Sequence, residues 1–561
     1  MRRPLSRLAA ACTVFALILP VQAQQPPAEV QPPLFGEEID VRVVNVEVVV
    51  TDRQGQRVPD LKAGDFRLRV DGKDVPIEYF SEIKEGRAIA AAPAEEAKPE
   101  EGQAGVQGVV EGAVGTYYLV FIDDFFAIAP RRNEVLKALK ADLGKLGPDD
   151  RMAVVAYDGG KLALLSNWSN SPAGLGQAFD QAMARKARGF DRMTEYRTYL
   201  RNEGFAAQVV GDNAPLDLNA ANRGGLNERQ SVYVETLVRQ IQDVSRAAVS
   251  AMRGFAAPRG RKVMLLLSGG WPFSPQSYVS GGGAMPTRQV LEGDQILRPL
   301  TSTANLLGYT IYPVDVPGVQ TVAADAEAEA PTVSRFGNVA EQEVEGSLYF
   351  LAKETGGKPV LNSNRMVALA NASADTRSFY WLGFSPSWQH NDRPHTVKVE
   401  VRRPGLEVRS RTGFLDLSRK AEVSMKVESA LLFGNFPGGL PMPMQLGTPV
   451  RSKRGELEIP VKLSLPTDVM TVVPVNGKYA AQLELRFAAS DSSGNSSDIP
   501  VLPLNLSSER PPAPGKFVRY ETTVKLKGKA DHLVVAVYDP LSGKVATAEA
   551  DVAPIPAVAH K

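Results

Sequence analysis

Between residues 117 and 315 the chain repeats one pattern: a short, nearly unbroken apolar run that stops at an acid or at Ser-Gly, followed by helical periodicity. Residues 118–122 end in Asp123-Asp124, 152–157 in Asp158-Gly159-Gly160, 263–267 in Ser268-Gly269-Gly270, and 309–314 in Asp315. A strand that is apolar throughout is buried on both faces. Strands of that kind alternating with helices imply a mostly parallel sheet with helices on both faces. The helical stretches agree. Pro130 opens one in which Val135, Leu136, Leu139, Leu143 and Leu146 recur at three- and four-residue steps until Gly147-Pro148 stops it. Val234, Leu237, Ile241, Val244 and Ala248 mark a longer one at 229–255, and others are predicted at 287–307, 346–355 and 365–375.

On either side of this unit the period becomes two. Val44, Val46, Val48 and Val50 alternate with Asn45, Glu47 and Val49, and Phe66, Leu68 and Val70 alternate with Arg67 and Arg69 before the hairpin signal Asp71-Gly72. Val397, Val399 and Val401 repeat the pattern after the unit. Each flank is too short to bury a core alone. The expectation is that 40–83 and 378–415 pair as one β-sandwich with the α/β unit, 116–377, inserted between them. Residues 84–115, rich in Ala, Glu, Gly and Pro and free of aromatics, are predicted to be a flexible linker. Residues 420–561 alternate again, with Leu457, Ile459, Val461 and Leu463 in one run, and are predicted to form a C-terminal β-sandwich.

The first 23 residues carry Arg2, Arg3 and Arg7, a short apolar run and a Val-Gln-Ala end, the parts of a secretory signal peptide. The Pro-rich stretch 24–39 is predicted to be a tether. Loss of residues 1–23 takes three Arg and no acid from 64 basic against 63 acidic residues, leaving a net charge of −2. It also removes Cys12, the only cysteine. The expected location is therefore the periplasm or the medium, with no membrane span in the mature chain. One cysteine and four histidines exclude a disulfide framework and a Cys-ligated metal site. The near-neutral charge argues against a nucleic-acid partner. The run Arg185, Lys186, Arg188 and Arg192 with Phe190, Tyr196 and Tyr199 is better read as a solvated amphipathic helix than as a single-strand groove.

The order of these features resembles a known family. VEVVVTDRQGQRVPDLKAGDFRLRVDGKDVPIEYFS, YYLVFIDDFF, RKVMLLLSGG, YTIYPVDVPG, LAKETGGKPV and SFYWLGFSP resemble the von Willebrand factor A-related proteins of acidobacterial secretomes. The resemblance covers about residues 40–415 and implies a Rossmann-like α/β domain flanked by antiparallel β-sandwiches. It also implies a divalent metal at the carboxyl edge of the sheet, held by an Asp-x-Ser-x-Ser loop, a Thr and a further Asp. Here Asp123 is kept, whereas Phe125 and Ala127 stand at the two Ser positions and Gly269 follows Ser268 where an Asp is expected. The Thr loop falls in an insertion at 188–231, where Thr194 and Thr198 do not align. The metal site is degenerate.

Two sets of residues then compete for the carboxyl edge. Asp123, Asp124, Asp158 and Asp315 are candidate ligands of a rebuilt Mg2+ or Ca2+ site, or turn caps that accept backbone N–H groups. Phe125, Phe126, Trp271, Phe273 and Tyr278 are candidate partner-binding anchors, or rings that seal the core under the loops. No nucleophile with a base and no phosphate loop is present, so catalysis is not expected. The expected function is an exported adhesion or scaffolding protein that binds an unidentified protein or cell-surface ligand, with no cofactor. The alternatives are a metal-dependent A domain with a rearranged carboxylate site, and an enzyme of unknown reaction.

Overall fold

The computed structural model describes residues 43–89, 107–108, 114–196, 198–199, 228–256, 260–280, 291–316, 331–386, 389–418, 420–421, 423–425, 427, 440–452, 456–475, 477–490, 497, 499–526 and 530–553. The expected signal peptide (1–23) and tether (24–39) lie outside the described residues. So do most of the expected linker at 84–115 and residues 200–227 of the insertion.

The first strands are β1 (Val44–Asp52), β2 (Phe66–Val70), β3 (Lys73–Val75), β4 (Tyr79–Lys84), β5 (Arg87–Ile89) and β6 (Gln107–Gly108). The α/β unit follows with β7 (Thr116–Asp123), α1 (Ala129–Ala141), β8 (Arg151–Tyr157), β9 (Leu162–Ser169), α2 (Pro172–Ala184), α3 (Glu228–Gly254), β10 (Arg261–Ser268), α4 (Pro275–Ser280), α5 (Gly293–Leu307), β11 (Tyr309–Asp315), α6 (Pro331–Thr355) and α7 (Ala368–Thr376). Then come β12 (Phe379–Phe384), β13 (Pro394–Val401), β14 (Leu406–Ser410) and β15 (Gly413–Leu415).

The central sheet runs in the order β11-β10-β7-β8-β9. The first four strands are parallel, and β9 returns antiparallel on β8. Both faces are apolar for the reason the sequence gives. Leu119, Phe121, Val155 and Met264 point into one cluster with α3, α5 and α6. Tyr118, Val120, Val154 and Val263 point into another with α1, α2 and α7. The parallel arrangement collects the ends of β7, β8, β10 and β11 at one edge, and that edge carries Asp123, Asp158, Ser268 and Asp315.

Strands from both flanks pair with one another. β1 lies between β12 and β14, antiparallel to each, with Val46 opposite Leu382 and Val50 opposite Val408. β2 pairs with β13 in the facing sheet, Leu68 opposite Val399. The shared core holds Val46, Val48, Phe66, Phe80, Tyr380 and Phe384. Part of the stretch expected to be linker is sheet. Glu85 and Gly86, both at positive φ, turn β4 into β5, and β6 adds a parallel bridge to β4.

Ten more strands between Leu440 and Asp551 form two sheets around a core of Ile459, Val461, Leu463, Leu485, Val535 and Val537. Their pairings are antiparallel except for Leu440–Pro441 against Val545–Asp551. The molecule is thus mixed α/β with several sheets. No helix among the described residues is long and apolar enough to cross a membrane.

Candidate functional site at the carboxyl edge of the sheet

Asp123 ends the central strand and is fully buried. Its Oδ1 accepts the N–H groups of Phe125 and Phe126, each at 3.1 Å, so the carboxylate caps its own turn. Its Oδ2 accepts the Ser268 hydroxyl at 2.7 Å and the Trp271 indole N–H at 2.9 Å. Burial pushes this carboxyl up to about 6, against the pull of the Ser268 and Trp271 donors. Ser268 in turn accepts the N–H of Gly270, which fixes the loop that carries Trp271.

Asp124 points the other way, into two guanidiniums. Arg132, on the first turn of α1, meets Oδ1, and Arg185 Nε donates to Oδ2 at 2.7 Å. Arg132 is as buried as its partner. Its remaining N–H groups reach the Asn133 side chain and the carbonyls of Met183 and Arg185, tying α1 to the end of α2. Burial pushes Asp124 up while Arg132 and Arg185 pull it back. Asp158 caps the turn after β8 by accepting from Gly160 and Lys161, and Arg185 stands 3.7 Å away. Burial opposes its ionisation, but those N–H groups and the nearby arginines leave it below the ordinary range. Asp315 ends β11 in register with Ser268, and burial raises it to about 6.

The four candidate carboxylates therefore do not converge. Asp123 is committed to Ser268, Trp271 and two backbone donors, Asp124 to Arg132 and Arg185, and Asp158 to its own turn. Among the described residues no three His, Cys, Asp or Glu side chains are grouped to hold a metal ion. The residues present do not fit the divalent site that the family resemblance implies. Thr194, one of the two threonines considered, bonds back to the Phe190 carbonyl at 2.9 Å.

The aromatic candidates are corrected too. Phe125 is 9% exposed, Phe126 5%, Trp271 1% and Tyr278 5%. Phe125 and Phe126 meet edge to face at 5.1 Å. Phe125 also fills the space where a Cβ on Gly159 would stand, and Arg192 covers its ring at 4.6 Å. Phe273 packs on Phe350 at 5.4 Å. These rings seal the end of the core because the loops after β7 and β10 lie flat across it, and apolar area there is more stable out of water. They are not free anchors.

Several residues that sequence reasoning passed over form the accessible part of the edge. Tyr196 and Tyr199, read as part of an amphipathic helix, stack with Tyr233 of α3, the last pair at 4.8 Å and 6°. Tyr196 also meets Tyr278 at 4.8 Å. Phe126, Arg192, Tyr196, Tyr233, Leu237 and Tyr278 line a groove beside the Gly269-Gly270 loop. The basic run is charge-balanced rather than a cationic patch: Arg185 meets Asp124, Lys186 lies 3.9 Å from Asp191, and Arg192 pairs with Glu195 at 2.6 Å. Arg197 and Arg201, the next arginines of the run, lie outside the described residues. The chain matches no protein-family model and no curated protein.

Proposed function

We propose that residues 116–377 are a von Willebrand factor A-type domain, and that the protein is an exported adhesion or scaffolding module that binds a protein or cell-surface ligand without a metal ion. The strand order β11-β10-β7-β8-β9, with a single antiparallel edge strand, supports the A-type reading. So does an aspartate at the end of the central strand. The C-terminal sandwich and the sandwich built from both flanks act as spacers that present the carboxyl edge.

The observation that carries the metal-independent reading is the Asp123 carboxylate, whose two oxygens already accept from four donors. Hard cations need such oxygens free. Asp124 is neutralised by internal guanidiniums, which do for this edge what a cation does in relatives. Binding then falls to the tyrosine-lined groove, where Tyr233 is half-buried. Aromatic side chains of this kind are enriched where interfaces draw their energy.

Thermal unfolding and calorimetry with Mg2+, Ca2+ and Mn2+ test the proposal. The expected result is no saturable shift in Tm and no binding heat. Capture of a ligand from the native envelope fraction should be unchanged by chelator and reduced by Tyr233→Ala. A saturable shift that Asp123→Asn abolishes, or capture lost in chelator, overturns it.

A further inference from the structure

A second site lies at the opposite end of the α/β sheet and does not depend on the reading above. β10 begins with Arg261 and β11 with Tyr309. The outer face of β1, where Asn45, Glu47 and Val49 alternate with the core valines, packs against these strand starts. The seam holds a cavity of about 20 Å3.

Arg261 is 1% exposed. Its guanidinium carbon sits 4.1 Å from the centre of the Phe379 ring, and its Nε and Nη1 are buried with no hydrogen-bond acceptor. Glu47 Oε2 stands 3.6 Å from Nε, an ion-pair distance but too long for a hydrogen bond. Arg411 lines the same cavity. It donates to the carbonyls of Asn305 and Asn45, and its Nε is likewise buried with no acceptor. Two guanidiniums and one carboxylate thus face one space, where three buried donor nitrogens lack acceptors. Buried donors are normally met by protein, water or an ion, because an unmet one keeps its full desolvation penalty.

Size and charge narrow the choice. The cavity has room for one particle of about the size of water, which excludes phosphate, sulfate and organic acids. A neutral water meets the donors but leaves the excess positive charge. A small anion meets both needs. We propose that the seam binds one halide ion, chloride in ordinary solution, held by Arg261 Nε and Nη1 and Arg411 Nε, and that it clamps the flank-built sandwich to the α/β unit. Glu47 faces the same space and weakens the site without abolishing its net charge.

The direct test is a crystal of the unmodified protein grown in sodium bromide. The expected result is an anomalous peak in the cavity between Arg261 and Arg411. In solution at constant ionic strength, Tm should rise with chloride or bromide relative to gluconate and level off as the site fills. Arg261→Met, which keeps the stem on Phe379, should remove that dependence, and Arg261→Lys should keep part of it. No bromide peak, or only water density with equal Tm in chloride and gluconate, overturns the proposal. The crystallographic arm uses the native chain, so a variant that fails to fold leaves the outcome decided.

Discussion

Arg132 shows how one side chain decides the chemistry of the carboxyl edge. A guanidinium with no exposure is tolerated only where its charge and its N–H groups are met, and Asp124 with the carbonyls of Met183 and Arg185 meets them. Removing one partner strands the other. Arg132→Met should cost about 3–5 kcal/mol in urea unfolding, because Asp124 then keeps only Arg185. The double variant Arg132→Met with Asp124→Leu should cost much less than the sum of the two single changes. Additive losses would mean that the pair is not coupled. Half of this pair was legible beforehand. Asp124 stands out at a strand end, and Arg132 lies three and four residues before Val135 and Leu136, in phase with the buried stripe of α1. A charge in that phase signals a buried counter-ion. Trp271 gave no such signal, since only the fold brings its indole to Asp123, 148 positions earlier.

At the scale of elements, the loop after β10 is held as firmly as the strand it follows. Phe273 N–H donates to the Glu343 carbonyl, and Ser274 N–H donates to the Glu343 carboxylate at 2.6 Å, so α6 pins the loop from above. Gly270 has φ +86°, and a Cβ there would stand 1.9 Å from Val344 Cγ1. Gly270→Ala should therefore cost about 2 kcal/mol or more, from a left-handed backbone and a clash together. Val344→Ala should return the steric part only, so the double variant should be less harmed than the sum. Full additivity in urea unfolding would remove Val344 from the account. The strands were legible because apolar runs buried on both faces leave few alternatives. The loop was not, because Gly, Ser and Pro beside aromatics read equally well as an exposed binding tip. The packing on α6 that decides between them is a long-range contact that local periodicity does not encode.

For the whole molecule, the decisive relation is between the α/β unit and a sandwich whose strands come from both sides of it. Their insufficient size makes the flanks lean on one another, which is a matter of area and readable from length. The residues that join sandwich to sheet are not readable that way, because Arg57, Asp375 and Arg409 are ordinary surface charges to any periodicity argument. In the structure Asp375 of α7 accepts Arg409 of β14 at 2.6 Å and the Tyr312 hydroxyl at 2.6 Å, while Arg57 donates to its backbone carbonyl. Burial opposes ionisation of Asp375, but Arg409 and Tyr312 outweigh it and hold the carboxyl at about 2 against an ordinary 3.8. A depressed carboxyl stabilises the fold above its unfolded pKa, and that contribution fades as pH falls through the folded value. The seam should accordingly lose about 2 kcal/mol as pH falls from about 4 to 2. Urea unfolding of the wild type and of Asp375→Asn across that range measures it: the wild-type advantage should be constant above pH 4 and shrink below it. An advantage that does not change with pH would show that Asp375 is held by shape rather than by charge. The join between the two units would then rest on Phe379 and its apolar neighbours alone.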